Sequence, residues 1–430
     1  MKISVGAIIN VIVGFLVLIV FTNLNFILVI TKGTFGILSP FIFIVTLLGL
    51  IGVLIFQKNR VGPVAQLFLF FVLVYLTSSF LSVLDFKLSL GDYVNQVSNY
   101  LKSLLIFILF YFYFRNLDLN NNLKPFFIFI AFVLFLTNST IFFMDLYGLN
   151  VRVLYSGELI PDKWARASGV WGNANKAASY CLINIIMLMY LTLKSQMLGI
   201  KKAIIFFSIV FLLYSIYLTL SNTVLIISFF IIILYLYYFG KLIKIKTKLR
   251  IISIGLFSLL LLTIIFSKDI KEQYENLTPQ KKEKIANVLS FFNIGDKKET
   301  SFSNRDKTLE IGFQKVMQNP FFGNGLGALR KKLYKEDAIH NFYIQILGEG
   351  GIISLLAYIL LLLFLLLKLV SKNQFENGFL LSGFYIFLLL FGLTTHGLLL
   401  EKGYCVIFAL FFVIFESKHK TLESTSSSIQ

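Results

Sequence analysis

The most constraining feature of this sequence is a series of long apolar runs without any charged residue. Two examples are Ile204–Leu220 and Ile352–Leu367, and runs of similar size recur along the chain. The hydrocarbon core of a bilayer requires roughly 20 apolar residues per helix. Only 14% of the 430 residues are charged, whereas a typical soluble domain has about 25%. We therefore predict a polytopic membrane protein, because a large soluble core would require polar helix faces that these runs lack.

The runs predict an all-α protein with about twelve transmembrane helices. The seventh and eighth lie in one continuous apolar block. We divide this block at Ser221 and Asn222, since a single helix of that length would overshoot the bilayer. The predicted spans are 6–30, 35–56, 64–84, 97–114, 125–147, 174–193, 203–220, 223–239, 251–267, 346–367, 378–395 and 403–415.

The distribution of basic residues supports this layout. If the N-terminus is cytoplasmic and the spans alternate, about twice as many Lys and Arg residues lie in the inner loops as in the short outer loops, as the positive-inside rule requires. All of the remaining basic residues lie in one long loop, and long loops are largely exempt from that rule. We therefore predict cytoplasmic N- and C-termini. The net charge of +18 then reflects membrane orientation, and nucleic acid is not an expected partner.

Four regions follow from this layout. Spans one to nine occupy residues 1–267, and a large extracytoplasmic loop occupies 268–345. Spans ten to twelve occupy 346–416, and 417–430 form a Ser-rich cytoplasmic tail.

The long loop contains the signals of a short amphipathic helix. Ser303–Asp306 has the S-x-x-D form of a helix start, and Leu309, Phe313 and Val316 recur on one face. Asn319-Pro320 ends the helix. The three glycines that follow, Gly323, Gly325 and Gly327, predict a flexible segment before the next span.

Ionisable residues gather at the predicted outer ends of the spans. Membrane helices tolerate such groups only when they are paired or face a cavity, so these residues are candidates for a functional site. Structural alternatives remain open. A single Arg at a span end is usually a headgroup anchor, glycines such as Gly348 and Gly350 are common close-packing positions, and a lone carboxylate can pair locally. The candidates are Arg166, Arg305, Arg330, Asp337, His340 and Glu349.

Two motif-bearing stretches support these candidates. Between Asn304 and Gly351 the chain combines an Arg at a helix start, an N-P-x-x-G-x-G turn, a His-Asn dipeptide and an E-x-G helix start. Arg166–Asn175 has the form R-x-x-G-x-x-x-N-x-N, and Thr395–Gly397 is a weaker third stretch. These stretches resemble the O-antigen polymerase and O-antigen ligase family of integral-membrane glycan polymerases.

The resemblance implies a glycosyltransferase that polymerises oligosaccharide repeats carried on undecaprenyl diphosphate. The product would be a surface polysaccharide, O-antigen or capsule, made at the outer face of the bacterial cytoplasmic membrane. His340 would be the general base, with Asp337 or Glu349 orienting its imidazole. Planar guanidinium groups bind phosphate oxygens in pairs. The diphosphate would therefore be bound by Arg305, Arg166 and Arg330. No metal or other cofactor is expected.

Three alternatives remain: one differs from the polymerase in its acceptor, and two belong to other functional classes. An O-antigen ligase would transfer the polymer to a lipid A core. Many family members carry an Arg after the Ser of the long apolar block, whereas Asn222 follows Ser221 here, which favours the polymerase. A flippase or transporter typically has short loops, internal repeats and charges at mid-membrane, none of which is evident, and a non-catalytic scaffold is a further alternative. The expected partners are the lipid-linked oligosaccharide and membrane lipids, with a flippase and a chain-length regulator as candidate protein partners.

Overall fold

The computed structural model describes residues 5–24, 27–28, 38–56, 60–84, 90–120, 122–153, 159–161, 166–194, 199–242, 282, 302–329, 339–371, 375–395 and 397–417. Almost all of them are helical. Their longer α-helices are α1 (Val5–Phe21), α2 (Leu38–Phe56), α3 (Pro63–Leu84), α4 (Leu90–Leu119), α5 (Leu123–Leu146), α6 (Ala174–Lys194), α7 (Gly199–Thr219), α8 (Asn222–Leu242), α9 (Phe302–Gln318), α10 (Phe342–Ser371), α11 (Phe375–Gly392) and α12 (Lys402–Glu416).

The predicted multi-pass character agrees with these helices. Seven of the described helices are long and apolar enough to cross a membrane, namely α3 to α8 and α10. Shorter apolar segments lie in α1, α2 and α11. The described residues do not establish the count of twelve, since the predicted ninth span, 251–267, lies outside them.

Two local features refine the sequence-based interpretation. The long apolar block is divided as predicted, since α7 ends at Thr219 and α8 begins at Asn222, with Leu220 at a positive φ of 51° between them. The structure is not purely α-helical. A short antiparallel hairpin pairs β1 (Val151–Val153) with β2 (Leu159–Pro161), and a 3-10 turn follows at Gly169–Trp171.

The chain forms two compact units, each assembled from separate segments of sequence. The first comprises Met1–Thr137, Ser301–Gln374 and Phe384–Gln430. Within it α10 packs along α3, and α12 packs against α4. All side chains of α12 between Gly403 and Phe415 are buried, because this helix is apolar on every face and lies inside the unit. Phe411 stacks on Phe384 with ring centroids 4.0 Å apart.

The C-terminal end of α12 is joined to the start of α3 by hydrogen bonds. The Glu416 carboxylate accepts one from the Ala65 N–H at 3.0 Å and another from the Tyr111 hydroxyl. The Gly62 N–H in turn donates to the Tyr111 oxygen at 2.7 Å. The first N–H groups of a helix have no partner inside it, and a carboxylate there is also favoured by the helix dipole.

The second unit comprises Asn138–Thr300 and Phe375–Gly383. Its central helix is α6, which packs against α7 and α8 and has mostly buried side chains. The Tyr190 hydroxyl on α6 donates to Asn377 Oδ1 at 2.8 Å. Many apolar side chains of α7 and α8 remain exposed, as expected for helices that face lipid.

Candidate functional site

Helix α10 is broken at Gly351, and the loop after α9 supplies the hydrogen bonds that the break removes. Gly351 has φ 72° and ψ −176°, outside the helical region. The Ile352 N–H donates to the Pro320 carbonyl at 2.8 Å. The carbonyls of Gly348 and Glu349 accept from the N–H groups of Asn324 and Gly325 at 2.7 and 3.1 Å. Because buried backbone groups must be paired, the loop and the broken helix depend on each other.

The glycine-containing loop has a defined conformation. Gly323 has φ 78°, and a Cβ atom there would overlap the backbone of Glu349. Asn324 fixes the loop to α9 by donating from Nδ2 to the Lys315 carbonyl at 2.7 Å. The prediction of a flexible segment is therefore wrong. Glycine is required here for a positive φ and for close backbone approach, which a sequence cannot distinguish from flexibility.

A small apolar core joins the predicted amphipathic helix to α10. Val316, Leu329, Ile339 and Ile344 are buried together. Close packing also explains Gly348 and Gly350, since a Cβ atom would meet Leu329 at the first and Tyr75 at the second. The packing interpretation of these two glycines is thus confirmed. Helix α9 itself begins and ends within a residue of the predicted positions.

Glu349 lies at the centre of a buried polar network. Its side chain is fully buried, and its carboxylate accepts hydrogen bonds from the Tyr75 hydroxyl and from Gln345 Nε2 at 3.3 Å. The hydroxyls of Tyr75 and Tyr100 are 3.2 Å apart. Gln345 Oε1 accepts from the Gly397 N–H at 2.9 Å. The network connects α3, α4, α10 and the turn before α12, and donors of this kind are what make a buried carboxyl tolerable.

The network includes residues that the sequence analysis missed. Gln345 is four residues before Glu349, a spacing that brings two side chains together on one helix face, so it was detectable. Tyr75 and Tyr100 lie in apolar helices and gave no comparable signal. The role of Glu349 in orienting His340 stays a prediction.

His340 lies two residues before the start of α10 and is partly buried. The next residue, Asn341, caps the helix, because its Oδ1 accepts from the Ile344 N–H at 3.1 Å. Ile339 on the other side of His340 belongs to the small apolar core. The imidazole is therefore attached to a backbone that is fixed on both sides.

The arginines are distributed differently. Arg305 is in the first turns of α9, in the same unit as His340 and Glu349. Arg166 is partly exposed and belongs to the second unit. Arg330 and Asp337 lie outside the described residues.

The stretch that follows Arg166 is tightly organised. Trp171 stacks on Tyr180 with centroids 3.9 Å apart, and its Nε1 donates to Asn138 Oδ1 at 3.0 Å. Asn173 Oδ1 accepts from the Lys176 N–H at 3.1 Å and so caps α6. The motif thus fixes the start of α6 and the chain that leads from Arg166 into it.

Comparison with known proteins agrees with the motif analysis. Residues 207–359 match the family model described as O-antigen ligase. This match confirms the family resemblance inferred from the motifs and covers α9, the loop, His340 and Glu349. No curated protein matches this chain.

In the described part of the chain, no three His, Cys, Asp or Glu side chains are grouped so that they could hold a metal ion. The apolar helices indicate a multi-pass membrane protein, and residues 207–359 are similar to the O-antigen ligase family.

Proposed function

We propose that this protein polymerises oligosaccharide repeats carried on undecaprenyl diphosphate into a surface polysaccharide. The observation that carries the proposal is the hydrogen-bonded assembly of α9, its loop and the broken α10. It fixes His340 at the N-terminal end of a membrane helix, inside the segment matched by the O-antigen ligase family. A lipid diphosphate substrate has its reactive bond at such a boundary, because its tail lies in the hydrocarbon and its sugars lie in water.

The reaction requires a base and a stabilised leaving group. In the proposed step His340 accepts the proton of a sugar hydroxyl on one lipid-linked repeat. The hydroxyl oxygen then bonds to the anomeric carbon of the other repeat, and the bond from that carbon to the diphosphate oxygen breaks. The diphosphate leaves with the electron pair of that bond. No metal is assigned a role in this proposal.

The arginines are assigned to the leaving group. The guanidinium is planar and always charged, and it binds two phosphate oxygens at once. We assign Arg305 and Arg166 to the diphosphate, with Arg330 as a third candidate. Asp337 and Glu349 are the candidates for orienting the imidazole.

The proposed location is the outer face of the bacterial cytoplasmic membrane. The bias of basic residues supports cytoplasmic N- and C-termini and an extracytoplasmic loop at 268–345. A flippase that delivers lipid-linked repeats and a regulator of chain length are the proposed protein partners.

The alternative acceptor is a lipid A core, as in a ligase. Asn222 is the observation that favours the polymerase, because it begins α8 at the position where many family members carry Arg. A ligase transfers one finished chain, whereas a polymerase must accept two lipid-linked repeats.

Deleting the gene in a host with a lipid A core is expected to leave single repeats on that core, because a ligase would still act on unpolymerised repeats. Gel electrophoresis of lipopolysaccharide should show loss of the ladder above one repeat. Re-expression of the protein is the control and should restore the ladder. Loss of every repeat, with long polymer accumulating on undecaprenyl diphosphate, would identify a ligase instead. Failure of the purified protein in vesicles to join lipid-linked repeats would favour a transporter.

Substituting Arg305 or Arg166 with Lys is expected to lower polymer formation at least about tenfold, because Lys keeps the charge but loses the paired hydrogen bonds. The measurement is the initial rate of chain elongation by purified protein. Arg60→Lys is the matched control, since Arg60 is exposed and lies on the predicted cytoplasmic side. Unchanged rates in both variants would show that these arginines are headgroup anchors.

A further inference from the structure

Helix α9 carries a stripe of exposed apolar side chains on the face next to its packed side. Phe313 and Met317 are 51% and 74% exposed, and Phe321 and Phe322 in the following turn are 65% and 41% exposed. Side chains four residues apart lie on one helix face, so Phe313 and Met317 share a face of α9, and the two phenylalanines follow in the turn. Gly312 and Val316, each one residue earlier and about 100° around the helix, are buried. An exposed apolar surface of this kind marks a contact with another apolar phase.

The hydrogen bonds between the loop and α10 hold the turn after α9 beside the break in α10. The Ile352 N–H donates to the Pro320 carbonyl, so Phe321 lies beside the break in α10. About 20 residues of α10 follow the break, and they span roughly 30 Å, the thickness of the hydrocarbon core. If residues 352–371 are the part of α10 that crosses the membrane, the break and Phe321 lie at the edge of that core, a few residues further along the chain than the start of the predicted span at 346.

The stripe also continues an apolar surface that faces lipid. The exposed side chains of α10 begin directly after the break with Ile353 and continue through Leu356 and Leu360. On α9 the stripe is bordered on its other side by exposed polar residues, Gln314 and Gln318. An apolar stripe beside a polar face is the arrangement of helices that lie in the membrane interface.

We propose that α9 and the turn after it dock on the lipid bilayer, with Phe313, Met317, Phe321 and Phe322 inserted at the edge of the leaflet where α10 begins. The partner is the lipid surface itself. This inference depends on α10 crossing the membrane and is independent of the reaction proposed above. Its consequence for that reaction is that the loop and His340 are held at the level of the lipid headgroups.

The test uses nitroxide labels on single introduced cysteines in the full-length protein. Cys181 and Cys405 are buried and can remain. The labelled variants are Met317→Cys and Phe321→Cys, with Gln318→Cys as the matched control on the polar face and Leu360→Cys as the reference in lipid. In vesicles of phosphatidylcholine and phosphatidylglycerol, relaxation is measured with oxygen, which concentrates in the bilayer, and with a water-soluble nickel chelate.

The ratio of oxygen to nickel accessibility at positions 317 and 321 is expected to be several-fold higher than at 318 and to approach that at 360. A ratio equal to that at 318 would place the stripe in water and overturn the proposal. Labels that are immobile and shielded from both reagents would show that protein covers the stripe, which also overturns it. A second pair, Phe313→Cys and Gln314→Cys, repeats the comparison one turn earlier if a variant at 317 or 321 does not fold.

Discussion

Replacing His340 with alanine is expected to abolish polymer formation while leaving the protein in the membrane. Loss of a general base typically costs about 10²- to 10⁴-fold in rate, which would remove any visible polymer. The fold should persist because the helix start depends on Asn341, whose side chain continues to cap Ile344. The measurement is the polysaccharide ladder in a deletion strain that expresses the variant, together with the amount of protein in the membrane fraction.

Two comparisons make this result specific. His419→Ala changes a histidine in the predicted cytoplasmic tail and should leave the ladder unchanged. Asn341→Ala removes the cap and should cost about 1 kcal/mol of stability, so it reports the effect of a weakened helix start with the imidazole present. A ladder of normal length from His340→Ala would refute the assignment of His340 as the base.

Gly351→Ala is expected to prevent the assembly of the loop with α10. The backbone at this residue has φ 72° and ψ −176°, a region that only glycine adopts without a cost of about 1–3 kcal/mol. A Cβ atom would also overlap the carbonyl oxygen of Phe321. Separating the loop from the helix would leave the carbonyls of Gly348 and Glu349 without their partners. We expect the total loss to exceed about 3 kcal/mol.

Thermal unfolding of the purified protein in detergent would measure this loss, and the polysaccharide ladder would report activity. Gly14→Ala is the matched control, because Gly14 lies in α1 and, among the described residues, no neighbouring segment comes within 4 Å of a Cβ at that position. A Gly351→Ala variant with the thermal midpoint of the parent protein would contradict the assignment of the break as a required backbone conformation.

Glu349 illustrates how a tertiary contact changes the interpretation of a motif. In the sequence it is an ionisable residue at the start of a span, which suggested a place in the reaction. In the structure its carboxylate lies between Tyr75 and Gln345 and has no exposed surface. Gln345 in turn binds the backbone of Gly397. A substitution at Glu349 would therefore disturb the packing of several helices as well as any orienting role, and loss of activity alone would not assign it to catalysis.

The sequence by itself determined the features that depend on local interactions. The membrane class follows from uncharged apolar runs, and the division between α7 and α8 follows from the length that a bilayer accepts. The S-x-x-D motif at Ser303 predicts the start of α9 to within a residue, and the end before Asn319 follows from proline, which acts within a few residues. The family resemblance depended on short motifs and was likewise readable.

Only the tertiary structure decided which residues meet. Tyr75 and Glu349 are separated by 274 positions in the chain, and no local pattern indicates that they share a hydrogen bond. The sequence analysis interpreted the glycine loop as flexible. In the structure Gly323 has a positive φ and packs against the backbone of Glu349, a contact between distant segments that no local pattern indicates. Likewise, α12 and α7 are both strongly apolar, yet α12 is buried while α7 leaves much of its surface exposed. Hydropathy measures the preference of a helix for an apolar phase, and lipid and protein interior satisfy that preference equally well, so the choice between them depends on the neighbouring helices.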